Sequence, residues 1–164
     1  GPRNLLDMAS ELRVDRIIPV NGVPTGGGGG VIQTVYGSTN SEVTSSSSTY
    51  SDTGLTATIT PTSSSNKVLI MANIATALKQ NATYFKVRVM RGATEIAKID
   101  DGTGYTNNSN FSTGGSISCH ILDTPATNSA TTYKLQFLST SNGDVVKVQT
   151  NSATSTIILQ EVSG

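Results

Sequence analysis

The chain has 164 residues, with Lys+Arg and Asp+Glu equal at 11 each, one histidine, one cysteine and only 13% charged residues. That balance leaves no basic field for nucleic acid or anionic lipid, a single cysteine excludes an intramolecular disulfide, and no run of 18 apolar residues exists to insert into a membrane as a helix. The length suits one domain with a real core plus an extension.

Gly1-Pro2 reads as the scar of a tag-removing protease and Met8 as a native start, which sets residues 1–7 apart as a cleavage remnant. In residues 8–25, Leu12 and Val14 alternate with Glu11, Arg13 and Asp15, the pair Ile17–Ile18 follows, and Pro19, Gly22 and Pro24 interrupt any regular element. Too short to bury itself, this arm is expected to be extended and to order against a partner, with Leu12, Val14, Ile17 and Ile18 as attachment residues. The glycines at 26–30 have no Cβ to pack and read as a hinge before a body at 31–164.

Val31–Tyr36 alternates as a first strand, and the low-complexity stretch Gly37–Asp52 reads as a surface loop or edge segment. Leu55, Ala57 and Ile59 oppose Thr56, Thr58 and Thr60, a strand with one wet face that ends at Pro61. Lys67–Ala75 is apolar with almost no alternation. Tyr84–Met90 and Thr94–Asp100 flank Arg91-Gly92-Ala93 as a hairpin. The polar, Gly-containing stretch Asp101–Gly115 is the longest candidate functional loop. Ser116–Leu122 turns Ile117, Cys119 and Ile121 toward a core, and Thr131–Leu138 does the same with Tyr133, Leu135 and Phe137. Asn142-Gly143-Asp144 is a turn signal before Val145–Gln149, and Thr154–Val162 closes the chain with the unbroken run Ile157-Ile158-Leu159.

Eight or nine short strands, with no 3.6-residue period in the body, predict an all-β antiparallel sandwich of jelly-roll type. A two-layer sandwich covers only one face of each sheet, and no helices are available for the other. The strands that are apolar on both faces therefore predict an oligomer, with Val68, Ile70, Ile74, Ile157 and Leu159 as its interface residues.

Chemistry is sparse. A hydrolytic triad needs a histidine, and His120 falls on the face opposite Cys119, in line with Ser116 and Ser118, with no nucleophile elbow nearby. Cys119 reads as a buried thiol. No Lys-Ser/Thr follows the glycine run, so it is no phosphate cradle. Asp100 and Asp101, next to Asn107, Asn108 and Asn110, have the oxygen chemistry of calcium ligands, but an Asp-Gly turn explains them more simply. Tyr105, Asn107, Asn108 and Phe111 combine aromatic faces with amides, as a sugar site does. The reading is of a protein that is not an enzyme and uses no cofactor.

Three groups of residues carry a resemblance. The arm contributes Ser10-Glu11-Leu12-Arg13-Val14-Asp15-Arg16-Ile17-Ile18-Pro19 with Gly22-Val23-Pro24-Thr25. The body adds Gly54-Leu55-Thr56-Ala57-Thr58-Ile59-Thr60-Pro61, Asn66-Lys67-Val68-Leu69-Ile70 and Asp123-Thr124-Pro125-Ala126-Thr127, then Thr132-Tyr133-Lys134-Leu135-Gln136-Phe137 and the closing Ile157-Ile158-Leu159-Gln160-Glu161-Val162. Together they resemble small fibre-like structural proteins of marine tailed phages, including those infecting cyanobacteria. The resemblance implies a trimeric head similar to those of the tumour-necrosis-factor and C1q type, with the first and last strands as neighbours in the inner sheet. It also implies a virion protein assembled in the host cytoplasm, bound to other virion proteins through its arm and to host-surface glycan through its head. The alternative is a capsid- or tail-decorating protein without a specific ligand. No shaft of heptads or repeats precedes the head, a departure from a fibre.

Overall fold

A computed structural model describes residues 30–141 and 143–164. The arm with Leu12, Val14, Ile17 and Ile18, the 1–7 segment, the hinge glycines at 26–29 and Asn142 lie outside the described residues.

The body is built from ten strands: β1 (Val31–Thr39), β2 (Val43–Ser45), β3 (Ser51–Ile59), β4 (Lys67–Gln80), β5 (Phe85–Arg91), β6 (Thr94–Asp101), β7 (Ser112–Asp123), β8 (Thr131–Ser139), β9 (Val146–Val148) and β10 (Ser155–Val162). They form two antiparallel sheets packed as a sandwich of jelly-roll kind. In the larger sheet β4 is central: its first half pairs with β10, its last residues pair with β9, and β7 runs along its other edge. β1 flanks β10, so the first and last strands are neighbours, with Val35 opposite Leu159. The smaller sheet runs β3-β8-β5-β6.

Alternation explains the packing. Leu55, Ala57 and Ile59 of β3, Phe85, Val87 and Val89 of β5, and Tyr133, Leu135 and Phe137 of β8 meet Val68, Ile70, Ile74, Ile117, Cys119, Ile157 and Leu159 of the larger sheet in one buried core. Each Val, Leu, Ile or Phe side chain among them contributes about 1.5–3 kcal/mol by leaving water. At one side of the sandwich β1 passes close to β3. A Cβ on Gly37 would lie 2.4 Å from the Thr56 carbonyl oxygen and 3.0 Å from Ile157 Cγ2, so only glycine fits.

Two expectations change in extent. The body has ten strands rather than eight or nine, because the stretch Gly37–Asp52 holds the end of β1 and the three-residue β2. The functional loop shortens to residues 102–111, since β7 begins at Ser112.

A bulge re-phases β4. The pairing with β7 shifts between Ile74 and Ala77, Thr76 takes a positive φ of 44°, and both Ala75 and Thr76 stay on the outer side. Beyond it Ala77 and Lys79 point inward, which buries a lysine completely.

One polar cluster links three strands at an end of the sandwich. Tyr133 Oη donates to Asp123 Oδ2 at 2.6 Å, and Arg91 Nη1 donates to both Asp123 oxygens at 2.7 and 2.8 Å, tying β8, β7 and β5 together. Burial, and then the bond to Asp123, push the Tyr133 hydroxyl up from its ordinary value. Tyr133→Phe is therefore expected to lower stability by about 1.5–3 kcal/mol, the usual worth of a hydrogen bond to a charged group, in urea unfolding at neutral pH. An unchanged midpoint would count against the clamp.

Candidate interaction surfaces

The outer face of the larger sheet is the most distinctive surface of the body. Its strands align in rows: Tyr36, Ile158, Met71 and His120 stand in register across β1, β10, β4 and β7, and the next row is Thr34, Gln160, Leu69 and Leu122. Tyr36 is 61% exposed and Leu122 57%. The neighbouring row, Ser38, Thr156, Asn73 and Ser118, is polar and uncharged. None of these twelve positions bears a formal charge when His120 is neutral, and Lys67 stands only at one end of the face.

This corrects the expected interface residues. Val68, Ile70, Ile74, Ile157 and Leu159 have no exposed surface in the single chain and belong to its core. The side chains turned outward are the alternate ones, Leu69, Met71 and Ile158.

The outer face of the smaller sheet has the opposite character. Lys134 and Asp52 pair at 2.9 Å, Gln136 Nε2 donates to Asp52 Oδ1 at 2.7 Å, and Arg88 Nε donates to Gln136 Oε1 at 2.9 Å. Arg88 also pairs with Glu95 at 3.0 Å and lies 3.9 Å over the Tyr50 ring. Asp101 accepts from Lys86 at 2.9 Å and lies 3.8 Å from Lys98. The hydrogen bonds from Gln136 and Lys134 hold the Asp52 carboxyl below its ordinary value, and the bond from Lys86 does the same for Asp101. Such a lattice of pairs is at home in water.

The loop at 102–111 caps one end of the sandwich and is fastened from beneath. Lys79 Nζ donates to the Asn81 carbonyl and the Thr106 hydroxyl, and lies 6.0 Å from the Phe111 ring centre. Gly104, at φ +78°, sits on the lysine stem, where a Cβ would come within 2.9 Å of Lys79 Cγ. Tyr105, 66% exposed, meets Tyr84 edge-to-face at 5.6 Å. Beside Tyr84 a shallow groove is lined by Ser48, Lys86, Leu138 and Thr140. Tyr105 and Phe111 thus do not form one platform: Tyr105 belongs with Tyr84, and Phe111 with Lys79. Asn107 and Asn108 are exposed, and Asn108 Oδ1 accepts from the Asn110 amide in a local turn. The partner Tyr84 has no signal in the sequence, because the pairing is non-local.

No protein-family model matches the chain, and no curated protein matches it.

The remaining candidates take structural places. Asp100 Oδ1 accepts from the Gly102 and Thr103 amides at 3.2 and 3.1 Å, as a turn carboxylate does, while Asp101 is in the ion pairs above. Cys119 is buried, and that burial pushes its thiol up, away from the reactive thiolate. Among the described residues no three of His, Cys, Asp or Glu converge as a metal site would require. His120, Ser116 and Ser118 line the exposed side of β7. What the surfaces offer is contact: an uncharged sheet face, a charged one, and a loop end with two tyrosines.

Proposed function

We propose that this chain is a non-enzymatic structural and attachment protein of a virion, whose head works as a homotrimer with the β1-β10-β4-β7 face turned toward its neighbours. The observation that carries this reading is the contrast between the two sheet faces. One is an ion-pair lattice, and the other presents Tyr36, Leu69, Met71, Ile158 and Leu122 with no formal charge. Four strands about 4.8 Å apart and three rows about 7 Å apart span roughly 20 by 20 Å, the size of an interface centre with a polar rim around it. A second copy of the same chain offers the same uncharged face, so no charge is stripped of water when the two meet. Sedimentation equilibrium at micromolar concentration is expected to give the mass of three 17.0 kDa chains; the mass of one overturns the reading.

The loop end supports the attachment half of the proposal. Tyr84 and Tyr105 supply aromatic surface beside the hydroxyls of Ser48 and Thr140 and the Lys86–Asp101 pair, a combination suited to a sugar ring. Three linked copies turn weak single-site binding into avidity. Labelled protein is expected to adsorb to host cells, with Tyr84→Ala and Tyr105→Ala each lowering adsorption at least tenfold. Adsorption that ignores both substitutions favours the decorating role instead, in which the arm at 8–25 docks on the particle and the head has no ligand.

A further inference from the structure

We propose that self-association of this chain is pH-dependent and that His120 is the group that senses the pH. The inference rests on the proposed packing of the β1-β10-β4-β7 face against further copies. His120 is the only histidine in the sequence and stands on the exposed side of β7, in the same cross-strand row as Met71, Ile158 and Tyr36.

Among the described residues no carboxylate on the strands beside it is placed to share a charge on its ring, and the charged groups of β6, which also contacts β7, are engaged in the smaller sheet, Glu95 with Arg88 and Asp101 with Lys86 and Lys98. On β7 its outward neighbours are Ser118 and Leu122; on β4 they are Leu69, Met71 and Asn73; β10 presents Thr156, Ile158 and Gln160. Tyr36 of β1 is the other titratable group in the row, and a phenol gains no charge below neutrality. Lys67 stands at the far end of the face. Asp123, three residues along β7, turns inward to Arg91 and Tyr133.

A neutral imidazole packs against such a surface at little cost, whereas an imidazolium there is an unpaired charge taken out of water. Free subunits have no such restriction, because His120 is then solvated. The assembly consequently binds fewer protons than its separated subunits once the pH enters the histidine range, and association weakens as the pH falls. The limit is about tenfold in the association constant per pH unit for each imidazole enclosed.

The test is sedimentation equilibrium of the full chain at about pH 8 and about pH 5.5, at constant ionic strength, with circular dichroism confirming that the subunit stays folded. The wild type is expected to be assembled at the higher pH and to dissociate at the lower, while His120→Phe and His120→Gln stay assembled at both. A wild type that stays assembled at about pH 5.5, or variants that dissociate just as it does, overturns this inference and leaves the assembly reading standing. A chain already monomeric near pH 8 overturns the assembly reading, and this inference with it.

Discussion

Replacing Met71 by lysine is expected to convert the proposed assembly into folded monomers. Met71 occupies the middle of the uncharged face, between Ile158 on β10 and His120 on β7. Its side chain points away from the core, so the substitution leaves the packing of Ile70 and Ala72 untouched. In a free subunit the new ammonium reaches water along its own stem, and the cost to folding is small. In the assembly it would be enclosed opposite a surface with no carboxylate. An uncompensated buried charge costs about 3–5 kcal/mol, which corresponds to an association weakened by at least about a hundredfold. The check is a pair of measurements: sedimentation equilibrium for mass and urea unfolding for the isolated subunit. Loss of mass with an unchanged unfolding midpoint supports the face. An assembly that tolerates Met71→Lys must be held by another surface, and the charged β3-β8-β5-β6 face would then need the same experiment with Arg88→Glu.

Why the outward-facing side chains of β4 and β10 had to come from the structure is a matter of periodicity. β3, β7 and β8 have one wet side, so Leu55-Ala57-Ile59, Ile117-Cys119-Ile121 and Tyr133-Leu135-Phe137 show their inward phase directly in the sequence. In Val68–Ile74 and Ile157–Leu159 both phases are apolar, and the period-two signal vanishes. The two-sided character of these strands is legible there, but not which alternate set lies inside. The bulge at Ala75–Thr76 is harder still: it inverts the phase of everything after it, and inward-pointing Lys79 looks like an outward residue in the sequence. The candidate loop was legible as a loop because of its glycines and asparagines. Its internal pairing was not, because Tyr84, Lys79 and Asn81 reach it from another part of the chain. Local pattern specifies elements; contacts across sheets specify surfaces.

The second large effect is expected at Glu161, whose side chain is fully buried near the point where the body begins. Its Oε1 accepts from the Thr62 amide at 2.7 Å, the Thr62 hydroxyl at 2.8 Å and Asn66 Nδ2 at 2.6 Å; its Oε2 accepts from Gln33 Nε2 at 2.6 Å. One carboxylate thus joins β1, the β3–β4 connection and β10. Burial alone would push the Glu161 carboxyl up, but the hydrogen bonds from Gln33, Asn66 and Thr62 outweigh it and hold the group down at about 2. In the unfolded chain a glutamate titrates near about 4.3. The folded value is the lower of the two, so the stabilisation is fully present above about pH 4.5 and is lost as the pH falls toward 2. Glu161→Gln keeps the shape but sets an amide against donors and removes the charge that strengthens each bond. At pH 7 it is expected to cost about 2–4 kcal/mol in urea unfolding. The gap between wild type and variant should narrow steadily between about pH 4.5 and about pH 2.5, because acid protonates the wild-type carboxylate but changes nothing at the amide. A gap of the same size at both ends of that range would mean that shape, rather than charge, holds the strand ends together.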